Sequence, residues 1–97
     1  MNMQAMLRQA QNMQKEMMKA QDEISKTTFV GKNGLVTATM KGDRKLEKIE
    51  IDDSFEKDDV EMLEDMVVIA VNDAISQIDK MTEEKLGKYT KGIPGLF

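Results

Sequence analysis

Residues 3–24 read MQAMLRQAQNMQKEMMKAQDEI and contain neither glycine nor proline. Their apolar side chains recur at alternating intervals of three and four residues, the heptad pattern of a helix with one apolar seam. We predict a helical arm over residues 1–26. Its helix, which runs to about Ser25, is roughly 36 Å long at about 1.5 Å per residue, whereas a globule of 97 residues has a radius of gyration of about 12–13 Å. The helix therefore either projects or is covered by a second copy, and a self-complementary seam favours a two-fold dimer. The seam consists of Met3, Met6, Ala10, Met13, Met17, Ala20 and Ile24.

Four basic residues are predicted to share the face of this helix opposite the seam. They follow at intervals of seven, four and seven residues and are Arg8, Lys15, Lys19 and Lys26. Basic side chains at helical spacing can contact a run of phosphates. The same stripe, with Asp22 beside it, is also typical of the solvated side of a coiled-coil helix. The residues alone leave both interpretations open.

The apolar period changes to two over residues 27–52. The sequence GKNG at 31–34 contains an Asn-Gly turn signal between two alternating segments, which predicts a β-hairpin. A second turn precedes residues 46–51, where apolar and polar side chains alternate. Leu46 is out of phase with this alternation, so we expect a bulge or a strand start near Lys48. The segment predicts a three-stranded antiparallel sheet.

A second long helix is predicted over residues 58–87. Asp58 and Glu61 have the spacing of a capping box, and Gly87 or Gly92 can end the helix. Residues 88–97 are then an irregular tail.

The run MVVIAV at 66–71 is apolar on every side, so one packing surface cannot cover it. We expect one side of this helix to pack on the sheet and another on a partner subunit. The predicted dimer interface combines both helices through Met6, Met13, Met17, Val67, Ile69 and Val71.

The composition of the 97 residues excludes several classes of function. The chain contains no cysteine and no histidine, which removes the usual zinc ligands and the side chains on which most nucleophilic and acid-base catalysis depends. We therefore predict neither an enzyme nor a cofactor nor a small-molecule substrate. Aromatic residues make up 4% of the chain, which disfavours proteins that stack single-stranded bases. No apolar run is long enough to span a membrane, so we expect a cytoplasmic protein that does not enter membranes.

Two features invite a metal-binding interpretation, and neither predicts a metal site. The acidic residues at 52–59 lack the ligand spacing and the glycine of a calcium loop. The methionines of the first helix could bind copper(I), but their heptad period indicates packing. A methionine-rich stripe can also receive partner helices, and that interpretation stays open.

The net charge of −4 hides an uneven distribution. Residues 1–48 carry nine basic and five acidic side chains, and residues 49–97 carry five and thirteen. Ten of the acidic residues lie between Glu50 and Asp73. Both ends of the chain are therefore basic around an acidic middle.

Several of these segments, taken in order, resemble the YbaB/EbfC nucleoid-associated proteins of bacteria. The resemblance covers the methionine- and glutamine-rich first helix, KIEID at 48–52, LEDMVVIAVNDA at 63–74 and GIPGL at 92–96. It implies an α+β fold and an intertwined homodimer whose helical arms project like tweezers. It also implies binding to DNA at the nucleoid. One departure is the short sequence at 31–34, where the family commonly has a longer glycine-rich run.

The function expected from this resemblance is that of a homodimer that clamps or bridges double-stranded DNA, mainly through phosphates, and affects transcription as a consequence. In this chain, the projecting helical ends that the resemblance implies would contact DNA through basic residues. These are Arg8, Lys15, Lys19, Lys80, Lys85, Lys88 and Lys91. The alternative is a protein-interaction module or adaptor that uses a methionine-rich groove and has no physiological role on DNA.

Overall fold

The structure is a computed structural model that describes residues 2–55 and 59–90. Its elements, in chain order, are α1 (Met3–Lys26), β1 (Thr28–Asn33), β2 (Val36–Lys41), β3 (Leu46–Ile51) and α2 (Val60–Thr90). The predicted α+β order of one helix, three antiparallel strands and a second helix is confirmed.

The first half of α1 projects from the rest of the chain. The Asn2 side chain caps the helix by accepting a hydrogen bond from the Gln4 N–H at 3.0 Å. Every side chain from Asn2 to Glu16 is exposed, and Met17 is the first that is partly buried. The molecule is consequently long and narrow, with extents of 70 × 23 × 15 Å.

The sheet has the strand order β1-β2-β3. β1 and β2 are joined by a tight turn at residues 34–35, where Gly34 has a φ of 55° that glycine adopts without strain. The turn predicted at 31–34 is thus shorter, because β1 continues to Asn33. Between β2 and β3 the register shifts at Thr39 and Met40, which confirms the irregularity expected near Lys48.

α2 packs across β1 and β2 on one face of the sheet, and the contact is closest at Gly31. A Cβ atom at Gly31 would lie 2.7 Å from the Ala74 nitrogen and even closer to the Ala70 carbonyl oxygen. The helix backbone therefore rests directly on the strand. The buried apolar residues around this contact are Ile24, Phe29, Val36, Ala38, Met40, Ala70, Ala74, Ile78 and Leu86.

β3 contributes little to this core. Only Ile49 is partly buried among its six residues, and the others are exposed. Leu46 and Ile51 are among these exposed side chains although both are large and apolar. The chain thus leaves the third strand without a cover among the described residues.

α2 ends later than the sequence predicted. The helix continues through Gly87 to Thr90, because Leu86 is buried and Tyr89 packs against the same cluster. Residues 88–90 of the predicted irregular tail are therefore helical, and 91–97 lie outside the described residues. The predicted cap at Asp58 also lies outside them, and α2 begins at Val60.

We expect Gly31→Ala to lower the free energy of unfolding by about 1–3 kcal/mol, because the added methyl group must push α2 away from β1. Urea denaturation followed by circular dichroism measures the change. Gly87→Ala is the matched control, since the nearest atom to its added Cβ is Glu83 Cγ at 3.6 Å. Alanine within a helix should stabilise that variant by roughly 0.5–1 kcal/mol. A Gly31 variant as stable as the wild type would contradict the close packing.

Candidate nucleic-acid interface

The end of α2 lies alongside α1 and runs antiparallel to it. Lys85 Nζ donates a hydrogen bond to Glu23 Oε2 at 3.1 Å. One turn further along α2, the Tyr89 hydroxyl donates to Glu16 Oε2 at 3.1 Å. Moving forward along α2 therefore means moving backward along α1, toward its free end.

The apolar seam of α1 is divided between two environments. Met17 and Ala20 pack against the core where α2 lies alongside. Nearer the N-terminus Met6 and Met13 are exposed, and 82% of the Met3 surface is accessible. This free stretch before Met17 is about 20 Å long at about 1.5 Å per residue. Its seam has no cover among the described residues.

The basic residues of α1 are free to meet a ligand. Arg8, Lys15 and Lys19 are exposed, and the helical period places them opposite the seam. None of the three forms an ion pair within the described part of the chain. Lys26, the fourth residue of the stripe, lies 2.9 Å from Asp22 in an exposed pair that water and salt weaken. The stripe therefore presents three unpaired cations on a projecting helix.

The basic residues predicted on α2 are in different situations. Lys80 is exposed on the helix surface. Lys85 is half-buried and held by Glu23. The Lys88 ammonium lies 4.9 Å from the centroid of the Tyr89 ring, a cation–π contact that leaves the side chain exposed. Lys91 lies outside the described residues. The structure thus gives Lys85 a role in joining the helices.

The acidic segment between Glu50 and Asp73 lies beyond the end of α1 that joins the sheet. Ile24 of α1 contacts Gly42 at one end of the β1–β2 hairpin, whereas Met66, near the start of α2, contacts Gly34 at the other end. The Ser54 N–H and hydroxyl both hydrogen-bond to Asp52 and lower the pKa of its carboxyl group, so this carboxylate is ionised at neutral pH. Arg8 is about 27 Å from Lys26 at the end of α1, since each residue of a helix rises about 1.5 Å. That distance exceeds the Debye length of about 8 Å at physiological salt. The acidic residues between Glu50 and Asp73 therefore act weakly on the free end of α1.

The structure brings out a second group of basic residues that is not among the DNA-contacting residues predicted from the sequence. Lys32 on β1 and Lys41 on β2 lie on the face of the sheet turned away from α2. The strand alternation was visible in the sequence, but the direction of each face was not, because it depends on where α2 packs.

The residues predicted at a dimer interface differ in how much surface they leave free. Val67 and Val71 pack against the core of their own chain. Ile69 is 50% exposed, and its neighbour Val68 is 58% exposed. The apolar run therefore faces two ways, toward the sheet and toward the outside.

Within residues 2–55 and 59–90 no three His, Cys, Asp or Glu side chains are grouped as metal ligands would be. Over the same residues neither helix has the length and apolar content needed to cross a membrane.

The chain is similar to the members of one known protein family. The model of the YbaB/EbfC DNA-binding family matches residues 1–93. A nucleoid-associated protein of Lactococcus lactis subsp. cremoris is 56% identical over 97 residues, which cover 97% of this chain and 98% of the relative. A nucleoid-associated protein of Enterococcus faecalis is 53% identical over 97 residues, covering 97% and 93%. One of Streptococcus thermophilus is 46% identical, covering 97% and 98%.

Proposed function

Since the chain belongs to the YbaB/EbfC DNA-binding family, we propose that it is a nucleoid-associated protein that binds duplex DNA through phosphates. The observation that carries this proposal is the stripe of Arg8, Lys15 and Lys19, whose first two residues lie on the projecting half of α1 and whose third lies where α2 runs alongside. All three side chains are exposed and form no ion pair within the described residues, so they can approach a phosphate backbone without rearrangement of the fold.

The acidic character of the whole chain does not oppose this proposal. The sequence pI is about 4.8, yet charges separated by several Debye lengths are largely screened at physiological salt. A phosphate beside Lys15 therefore responds to the local cations more than to the acidic middle. Few contacts per chain predict modest affinity and a strong dependence on salt. Contacts to phosphates carry no sequence information, so binding should depend weakly on DNA sequence.

The basic residues at the end of α2 extend this surface. Lys80 and Lys88 are both exposed, and Lys88 adds positive charge beside the middle of α1, where it lines one hollow with Lys19. Lys85 contributes chiefly by holding α2 against Glu23. Lys91 follows the last described turn of α2 in the sequence and belongs to the proposed set for its charge.

We further propose that two copies join as a homodimer, so that two projecting helices clamp or bridge DNA. This arrangement is supported by apolar side chains of α2 and β3 that no described residue of their own chain covers. Burial of Ile69 and Val68 together with Leu46 and Ile51 would stabilise such a dimer by the hydrophobic effect. Val67 and Val71 lie next to these residues on α2 and are partly buried against the core of their own chain.

The seam of α1 offers a second part of the interface. Met6 and Met13 are exposed on the projecting half of the helix, and Met17 marks where the seam enters the core. A partner helix that met this seam would bury them in a heptad contact.

In the proposed homodimer each chain forms a single domain, and the dimer is located at the nucleoid in the cytoplasm. It requires no catalytic step, and any effect on transcription follows from DNA binding.

One observation favours the alternative of a protein-interaction module. A shallow apolar hollow of about 460 Å³ at the start of α1 is lined by Met3, Gln4, Met6 and Leu7. Such a hollow can receive apolar side chains of a partner helix. It does not account for the basic stripe on the opposite side of α1.

Light scattering should return about twice the 11.0 kDa mass of one chain, because the uncovered apolar surface favours association. Ile69→Glu should shift the sample toward the single-chain mass, since a charge would be placed in the interface. Met18→Glu is the matched control because Met18 is also exposed, lies outside the proposed interface and receives the same charge. A wild-type mass of 11.0 kDa at micromolar concentration would contradict the dimer.

The triple change Arg8→Gln, Lys15→Gln and Lys19→Gln should weaken duplex binding and its salt dependence. Each phosphate contact contributes about 0.9 to the slope of log K against log salt, so the slope should fall by up to about 2.7 per subunit. Fluorescence anisotropy with a labelled duplex measures both quantities. Lys45→Gln in the turn after β2 is the charge control, and circular dichroism should be unchanged for both variants. Unaltered binding by the triple variant would count against the stripe.

A further inference from the structure

The sheet has an outer face, turned away from α2, with a polar and basic composition. Buried residues of β1 and β2 alternate with exposed or partly buried ones, and the buried ones pack toward α2. Neighbours along a strand point to opposite faces, so the alternate residues lie outside. They are Thr28, Val30, Lys32, Thr37, Thr39 and Lys41.

β3 adds one basic and one acidic residue to the outer face. The strand register places Lys48 opposite Thr39 and Glu50 opposite Thr37. The Lys48 ammonium lies 3.7 Å from a Glu50 carboxylate oxygen, so these two charges largely balance each other. Lys32 and Lys41 are left as the net positive charge of the face.

Neither of these two lysines is neutralised within the described residues. Lys41 Nζ donates to the Thr28 hydroxyl at 3.1 Å and forms no ion pair. Asp73 of α2 is the acidic residue that reaches β1, where it accepts the backbone N–H of Lys32 at 3.1 Å. Asp73 also accepts from Gln77 at the same edge. The Lys32 ammonium itself forms no ion pair with a described residue.

No described residue outside the sheet covers the outer face. Val30 is 41% exposed, and Thr28 and Lys32 beside it on β1 are exposed as well. Thr37 and Thr39 are partly buried because they lie on the central strand β2, between β1 and β3. Val30 is the only aliphatic side chain among the outward residues of these three strands, so the face is not built for an apolar partner.

The outer face continues the basic stripe of α1. Ile24, near the end of α1, packs on the inner side with Phe29 and Met40. Lys26 is two residues later and therefore about 200° further round the helix, on the outer side. Thr28 and its cross-strand neighbour Lys41 follow on that same side. Basic residues thus run from Arg8 along α1 and onto the sheet.

We propose that the outer face of the sheet is a second phosphate-contacting surface, which holds the backbone of the same duplex that α1 binds. Lys32 and Lys41 are the cations of this surface, and the hydroxyls of Thr37 and Thr39 are additional donors. The inference rests on the proposed function, since it extends the DNA contact from α1 to the sheet. Charge complementarity with phosphate and continuity with the stripe of α1 support this occupant. A second copy is disfavoured, because a two-fold contact would bring the net positive charge of this face against the same net charge of its copy.

The double change Lys32→Gln and Lys41→Gln tests the proposal in the full chain. The slope of log K against log salt for a mixed-sequence duplex should fall by up to about 1.8 per subunit, at about 0.9 per lost phosphate contact. Glutamine preserves a side-chain donor next to Thr28, so circular dichroism should not change. Light scattering should return the mass of the wild type.

Glu50→Gln supplies the opposite change on the same face. Removal of this carboxylate frees Lys48, and duplex affinity should rise by several-fold at low salt. Asp65→Asn is the charge control, since Asp65 is exposed on α2, which packs on the other face of the sheet. It should leave duplex affinity within twofold of the wild type.

The possible results separate this proposal from the one on which it rests. If the wild type fails to bind duplex DNA, the proposed function is overturned and the sheet contact with it. If the wild type binds and the α1 variant loses affinity, while the Lys32 and Lys41 variant keeps the wild-type slope, only the sheet contact is overturned. A Lys32 and Lys41 variant with the single-chain mass would show that this face joins two copies, which also overturns the proposal.

Discussion

The contact between the backbones of β1 and α2 at Gly31 determines the arrangement of this molecule. Because no side chain separates Gly31 from Ala70 and Ala74, α2 is fixed over β1 and β2 and cannot also cover β3. The length of α2 then carries its end beyond the sheet, where Lys85 and Tyr89 meet α1. That placement explains three features. It leaves the apolar side chains of β3 exposed, it leaves the outer face of the sheet free of α2, and it brings the end of α2 against the second half of α1.

Part of this arrangement could be predicted from the sequence. The intervals of the heptad seam identified Met17, Ala20 and Ile24 as the side of α1 that packs, and the length of the helix required that the rest project. The alternation of residues 46–51 and the phase of Leu46 predicted a third strand with an irregular register. These features depend on local periodicity, which a sequence displays directly.

Other features depend on contacts between distant residues. The nearby Asn-Gly signal predicts a turn at Gly31, whereas the close approach of this residue to α2 explains why a glycine lies within β1. Gly87 was expected to end α2, but the burial of Leu86 and Tyr89 carries the helix past it. Lys85 was selected for its charge, yet it pairs with Glu23, 62 residues away along the chain. The role of the outer face was likewise hidden until α2 defined the inner one.

The proposed function depends on the separation of charges by this fold. Several cations of α1 and of the outer sheet face form no ion pair within the described residues, while acidic residues are concentrated around the start of α2. Acetylation of lysines with and without duplex DNA, read by mass spectrometry, tests this separation most directly. We predict that DNA slows the acetylation of Lys15 and Lys19 on α1 and of Lys32 and Lys41 on the sheet, with Lys45 little affected. Equal acetylation rates at Lys15 and Lys19 with and without bound duplex would contradict the account.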